Sequence, residues 1–194
     1  TWDWQVFCKN TIDGEVMPRC FGGGGDITYL DWMLSAWGWT LSVALLALAV
    51  ALGVGSLMGI LRTTPSKWLV GIGNVWTELF RNIPLLVQIF LWYHVLPALV
   101  PVLKDVPSFL LVVLGLGFFT SARIAEQVRA GIESLPRGQR HAGLAMGLTL
   151  AQTYRYVLLP RAFRIVIPPL TSESMNIIKN SSVAFAVSIA ELTQ

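Results

Sequence analysis

Long uncharged runs separated by short polar turns set the pattern of this chain. Trp32 to Leu61 contains no Asp, Glu, Lys or Arg, and neither does Asn82 to Leu103. Val106 to Ala122 is a shorter third run, which extends past Arg123 if that side chain faces protein. A helix needs about 20 apolar residues to cross the hydrocarbon core, and the first two runs exceed that. These lengths predict an all-α, polytopic helical membrane protein rather than a soluble bundle with buried core helices. Span one is expected at about Gly38–Leu61. Ser66 is a candidate N-cap for a helix from Lys67 to Phe80, with Trp68, Val75, Trp76 and Leu79 as its apolar positions. Arg81–Pro84 should break that helix, because Pro84 disfavours a helical Ile83. Span two is expected at Leu85–Leu99, span three at Phe109 to about Ala130, and a turn at Leu135–Gly138. Thr149 and Gln152 have capping-box spacing, so a short helix should start there, and Pro160 should end or kink it. A fourth span, about Ile165–Ala186, is unusual in carrying Pro168, Pro169, Glu173, Asn176, Lys179 and Asn180.

Composition agrees with a membrane protein. Charged residues make up 13% of the 194 positions, against about 25% in soluble proteins, and the mean hydropathy is +0.62. The first 37 residues differ from the rest. Asp3, Lys9, Asp13, Glu15, Arg19 and Asp26 leave no room for the apolar core of a signal peptide. This polar leader ends at Tyr29, Trp32 and Trp37, aromatic residues that suit a membrane–water interface. It also holds the only two cysteines, Cys8 and Cys20. They could pair if the leader is extracytoplasmic, or stand as two free thiols. The expected organisation is therefore a leader, 1–37, and a transmembrane domain, 38–194.

Lys and Arg orient the spans. Arg62 and Lys67 follow the first span, and Arg129, Arg137, Arg140, Arg155, Arg161 and Arg164 follow the third, whereas Lys104 stands almost alone between the second and third. The positive-inside rule then puts the leader outside, the turn RTTPSK inside, the Pro97–Ser108 loop outside and the segment 131–164 in the cytoplasm. The net charge of +3 follows from topology, and no nucleic-acid-binding module accompanies the basic segment.

Two places carry candidate chemistry. On the fourth span, Glu173, Asn176 and Asn180 share a helical face with Lys179 near its edge. Ionisable groups inside a bilayer usually face protein or an aqueous path. These residues therefore read either as the lining of a polar pathway, with Arg123 as a further member, or as interhelical hydrogen bonds that hold a bundle. Arg123 and Glu126 have the spacing of an i,i+3 ion pair. No catalytic or metal-ligating constellation accompanies His94 and His141, and the absence of GxxxxGK[ST] excludes a P-loop in this chain. The chain is not expected to be an enzyme.

The second place is HAGLAMGLTLAQTYRYVLLP, His141 to Pro160. Gly143 and Gly147 stand four apart, which in one helix places them on the same side. Small residues there would admit a close neighbour, although an ordinary polar loop between spans would also fit. This segment resembles the cytoplasmic EAA signature of permease subunits in bacterial ATP-binding cassette importers: Glu-Ala-Ala, three residues, Gly, nine residues, Ile-x-Leu-Pro. Gly147, Leu159 and Pro160 fall at the right spacing, Gly143 replaces the second Ala, Val157 replaces the Ile, and His141 stands where the signature has Glu. EQVRAGIESLPRGQ, PPLTSESMNIIKNS and ELFRNIPLLVQ are similar to blocks of the polar amino-acid permeases, and FLWYHVLP brings the glutamate/aspartate members closest. The resemblance covers nearly everything after Trp37.

The resemblance implies that His141, Ala142, Gly143, Ala145, Gly147, Leu159 and Pro160 form a coupling segment. It would dock in a groove on an ATPase subunit, which holds the ATP–Mg that this chain lacks. It further implies a bacterial inner-membrane location, a periplasmic substrate-binding protein and a second permease subunit, with a heterodimer favoured. Arg123, Glu173, Asn176 and Lys179 become candidates for the substrate path. The alternatives are a permease for glutamine or another polar or basic amino acid and, in a different class, a channel or structural membrane subunit. The family core has five spans, so the sequence reading expects a fragment of a longer protein, with one more helix after Gln194.

Overall fold

A computed structural model describes residues 4–17, 20 and 28–192, with side chains up to Ser182. The chain divides into two units, Thr1–Ser42 and Val43–Gln194, so the division falls inside the first long helix rather than at residue 37. In the first unit, a 3-10 turn at Trp4–Cys8 leads into an isolated bridge between Lys9 and Val16. Gly14 turns this loop with φ +69°, a left-handed conformation that costs glycine little. Cys8 and Cys20 form a disulfide. Thr28 then opens helix α1, Tyr29–Leu61: its Oγ1 accepts the Asp31 N–H and donates to the Asp31 carboxylate, satisfying a donor that every helix start leaves open.

In the second unit α1 continues with Ala44, Ala47, Ala51, Gly55 and Gly59 buried along one face. Helix α2 is Lys67–Asn82 and α3 is Leu85–Phe90. A π turn, Leu91–Val95, joins α3 to α4, Leu96–Leu99; α5 is Ser108–Glu133 and α6 is Arg137–Ala145. Helix α7, Leu150–Thr153, passes through a second π turn, Tyr154–Leu158, into α8, Leu159–Leu192. Among the described residues, two helices, α1 and α5, are long and apolar enough to cross a membrane, and α2 with Leu85–Leu99 makes a third candidate bent by 101°. Helix α8 has 34 residues, more than the length that a span needs, but its polar positions set it apart in composition.

Helix α5 is the centre of the second unit. It packs against α2, α3 and α8 and against the small-residue face of α1. A Cβ on Gly55 would lie 2.7 Å from Ile124 Cβ, one on Gly59 2.7 Å from the Ala125 carbonyl oxygen, and one on Gly131 would collide with Val166. Glycines thus let three helices approach at backbone distance, as close packing within a bilayer requires. The outward faces are apolar: Leu45 and Leu57 on α1, Leu86 and Phe90 on α3, and Ile165, Ile167 and Ile178 on α8 are exposed. Gln88, Thr120, Ser121 and Glu173 are buried. Polar side chains inside and large apolar ones outside is the distribution expected when lipid is the solvent.

The proline positions depart from the sequence expectation. Pro160 neither ends nor breaks the helix, and α8 also runs through Pro168 and Pro169. A proline ring clashes with the carbonyl four residues earlier. Upstream of Pro160 the helix is widened instead, with the Leu159 N–H donating to Tyr154 O. Pro97 repeats the device, with Leu96 N–H donating to Leu91 O. The break at Arg81–Pro84 forms as expected. Buried Gln88 donates from Nε2 to Phe80 O at 2.8 Å and to Ile83 O at 3.0 Å, satisfying carbonyls that the end of α2 leaves without helical partners. Ser66 holds the N-cap position of α2 with no side-chain cap.

Candidate transport path and coupling segment

Three polar side chains project from the C-terminal half of α5 onto different neighbours. Arg123 Nη1 lies 4.0 Å from Glu173 Oε1 on α8, and its guanidinium sits over the Phe119 ring at 5.3 Å. Gln127 donates from Nε2 to the same Glu173 oxygen at 3.3 Å, while its Oε1 is buried with no partner. Glu126 turns the other way: its Oε1 accepts Arg62 Nη1 at 2.8 Å and lies 3.6 Å from Arg81 Nη1. Arg62 also donates through Nε to Asn74 at 2.7 Å. Arg81, Phe119, Arg123, Glu126, Gln127 and Glu173 line one cavity of about 500 Å³. Its walls offer two guanidiniums, 65% exposed at Arg81 and 50% at Arg123, the buried Glu173 carboxylate, the Glu126 carboxylate that Arg62 and Arg81 already pair, and a free amide oxygen. Such a set can pair carboxylates at one side and an ammonium at the other.

Glu173 and Arg123 therefore meet as the sequence reading allows, but other members do not join them. Asn176 is half-buried and Lys179 is exposed, and neither lines the cavity. Residues 173, 177 and 181 make the buried stripe of α8, and Lys179 lies off that stripe. The expected i,i+3 pair of Arg123 with Glu126 is absent, because Glu126 pairs with Arg62 and Arg81. Both arginines are remote in sequence from Glu126, and the local spacing gave no hint of them. Gln127 is adjacent to Glu126 in the sequence, and nothing local signals its bridge to Glu173.

The candidate coupling segment is a compact helical hairpin. Helix α6 ends in a Schellman arrangement, in which the Gly147 N–H donates to Leu144 O at 3.1 Å and the Leu148 N–H to Gly143 O at 3.2 Å. This closure needs a left-handed residue after the C-cap, and Gly147 supplies it with φ +82°. Helix α7 then starts with the expected capping box: Gln152 N–H donates to Thr149 Oγ1, and the Thr149 N–H to Gln152 Oε1. The two glycines are thus not a pair on one face. Gly143 is buried within α6 against Thr153, where a Cβ would come within 2.7 Å of Thr153 Cγ2, whereas Gly147 lies beyond the helix. The expected turn at Leu135–Gly138 is shorter, since α6 already begins at Arg137. His141, Ala142 and Ala145 face outward; Leu159 packs partly into the core and Pro160 is exposed. Tyr154 ties the hairpin to the turn after α1: its hydroxyl donates to Thr63 O at 2.9 Å and lies 3.0 Å from Thr63 Oγ1.

An all-helical unit with lipid-suited outer faces and a polar cavity between its helices defines a polytopic membrane protein of the permease class. The family described as the binding-protein-dependent transport system inner membrane component matches residues 51–188, and the chain belongs to that family. It is 45% identical over 201 residues to the glutamate/aspartate import permease protein GltJ of Escherichia coli, covering 98% of this chain and 77% of that relative. The probable glutamine ABC transporter permease protein GlnM of Bacillus subtilis is 38% identical over 153 residues, covering 79% of this chain and 69% of the relative. Among solved structures, the crystal structure of an amino acid ABC transporter with histidines matches with a TM-score of 0.65 at 27% identity, covering 81% of this chain and 75% of that one. The chain is thus a multi-pass inner-membrane permease subunit of a binding-protein-dependent transport system.

Proposed function

We propose that this permease belongs to an ATP-driven importer of acidic amino acids, glutamate and aspartate. The observation that carries the reading is the 45% identity, across nearly the whole chain, to a relative named for that import. The cavity between α5 and α8 supports it chemically. Arg81 and Arg123 would attract the two carboxylates of the substrate, while Glu173 and Gln127 Oε1 would receive its ammonium. Asn176 and Lys179 lie further along α8 and would act on the path outside that cavity.

Outward-facing Ala142, Ala145 and His141 on α6 would dock in a groove of a separate ATPase subunit, which binds ATP–Mg and performs the hydrolysis. Gly143 serves this by closing α6 onto Thr153, and Gly147 by ending the helix. The π turn Tyr154–Leu158 joins the hairpin to Leu159 and Pro160, the first residues of α8, so a push on α6 reaches the helix that carries Glu173. A periplasmic binding protein would deliver the amino acid to the outer face, where the leader lies with its Cys8–Cys20 disulfide, and a second permease subunit would complete the path.

The test is uptake of radiolabelled amino acids by the reconstituted importer with its binding protein and ATPase. Glutamate and aspartate should be taken up in preference to glutamine, arginine and histidine. Preference for glutamine or a basic amino acid would overturn the substrate assignment, and conductance without nucleotide would overturn the importer. Glu173→Ala should cut uptake by about tenfold or more, on the order of one lost charge-assisted contact. Uptake unchanged in both affinity and rate would remove Glu173 from the path.

A further inference from the structure

The outward face of α6 carries a charge pattern that the transport reading does not require. Gly143 is the only buried residue of α6. The positions opposite it on the helix are 137, 141 and 145, spaced by four and therefore aligned. They hold Arg137, His141 and Ala145, with half-buried Arg140 on the flank; Arg137 and Arg140 also border a cavity that Arg62, Glu133 and Tyr154 line. Beyond them project Leu144, 42% exposed, and Met146, 82% exposed. Between Glu133 and Glu173 the sequence has five arginines and one histidine and no acidic residue. Among the described residues, Arg137 and Arg140 make no ion pair.

Three kinds of neighbour could answer such a face. Water alone would leave Met146 exposed without a role, and the positive-inside rule, which governs Lys and Arg, does not account for the missing acids. A lipid surface needs large apolar side chains to embed. Helix α2 has them, in exposed Trp68, Ile72, Val75 and Leu79, whereas α6 offers Gly138, Ala142 and Ala145. Small residues between cations suit a narrow protein groove that approaches the helix backbone. An unbranched thioether fills an irregular apolar pocket well.

We infer that α6 docks into an acidic groove, with carboxylates facing Arg137, Arg140 and His141 and an apolar pocket at one end receiving Met146. The inference rests on the reading of α6 as the ATPase-coupling helix and adds the chemistry of the partner. It makes the choice of ATPase a matter of charge: a groove with a cation opposite Arg137 or Arg140 is rejected by like-charge repulsion.

The experiment uses the intact permease in lipid nanodiscs and its purified cognate ATPase, with binding measured over a range of salt concentrations. The expected result is binding that weakens steeply with salt. In Arg137→Glu/Arg140→Glu it should fall by about tenfold or more, in Arg137→Lys/Arg140→Lys it should be largely kept, and in Met146→Ala it should weaken independently of salt. An Asp or Glu of the groove changed to Lys should restore binding to the double charge-reversed permease. Arg137 and Met146 are exposed and Arg140 is half-buried, so folding of each variant is checked by its unchanged unfolding temperature. An Ala145→Cys crosslink to the ATPase separates the two levels. If the crosslink forms but binding ignores salt and charge reversal, the acidic groove falls and the coupling reading stands. If no crosslink forms in a complex that hydrolyses ATP and transports, both fall.

Discussion

Of the arginine–carboxylate pairs that join helices across the second unit, Arg62–Glu126 and Arg123–Glu173 differ in almost everything except chemistry. Arg62 lies 2.8 Å from Glu126, its side chain is 7% exposed, and its Nε is spent on Asn74. Arg123 lies 4.0 Å from Glu173, its side chain is 50% exposed, and its other support is the face of Phe119. The first pair is closed: donors and acceptors are used within the protein, and the stem of Arg62 fills the space that Gly73 leaves. The second is open. It keeps a guanidinium half in the cavity, so a ligand carboxylate can compete for it at small cost. Closed pairs hold helices; open ones are available to bind.

The largest effect should come from breaking the closed pair. Arg62→Met removes the main partner of Glu126 and the partner of Asn74 at once. Arg62 is the buried member, and losing its two charge-assisted hydrogen bonds, to Glu126 and to Asn74, costs on the order of 3 kcal/mol. Arg81, 3.6 Å from Glu126 and 65% exposed, replaces only part of the loss. Unfolding of the purified permease in detergent, followed by temperature or denaturant, should show this loss. A stability equal to wild type would mean that the pair is not structural.

A smaller effect should come from the space beneath Arg62. A Cβ on Gly73 would lie 2.5 Å from Arg62 Cγ and 2.9 Å from the Met58 carbonyl oxygen. The arginine stem can move, but the backbone oxygen of α1 cannot do so cheaply. Gly73→Ala should therefore cost about 2 kcal/mol through overpacking. It should also add less than its full value to Arg62→Met, since the two share one site. Full additivity in a double-mutant cycle would show that Gly73 and Arg62 act independently.

The closed and open pairs were not equally legible in the sequence. Uncharged runs revealed the spans because length and composition alone decide whether a helix can cross a bilayer. Thr149–Gln152 was readable because a capping box is local. Arg123 and Glu173 stood out because each interrupts an apolar helix. The partner of Glu126 was hidden: Arg62 reads as a flanking cation at the end of α1, and only the close packing of α1 on α5 through Gly55 and Gly59 brings it in. Gly143 and Gly147 misled for a related reason. Spacing by four implies a shared face only while the helix continues, and Gly147 is the residue that ends it.

The smallest change in stability should follow from opening the open pair further. Arg123→Gln removes a contact at 4.0 Å between a half-exposed cation and Glu173. Pairs of this kind contribute less than about 0.5 kcal/mol, so the unfolding midpoint should barely move. Glu173 retains Gln127 as a donor, which keeps its carboxylate from being stranded. Uptake should respond instead, with a raised half-saturation concentration for glutamate and a nearly unchanged rate of ATP hydrolysis, because the cation acts on the ligand and not on α6. Comparing Arg123→Gln with Arg62→Met in the same two assays inverts the order of effects if the distinction holds. Should Arg123→Gln destabilise the fold as strongly as Arg62→Met does, the α5–α8 pair is a clasp like the other, and the cavity beside it is no binding site.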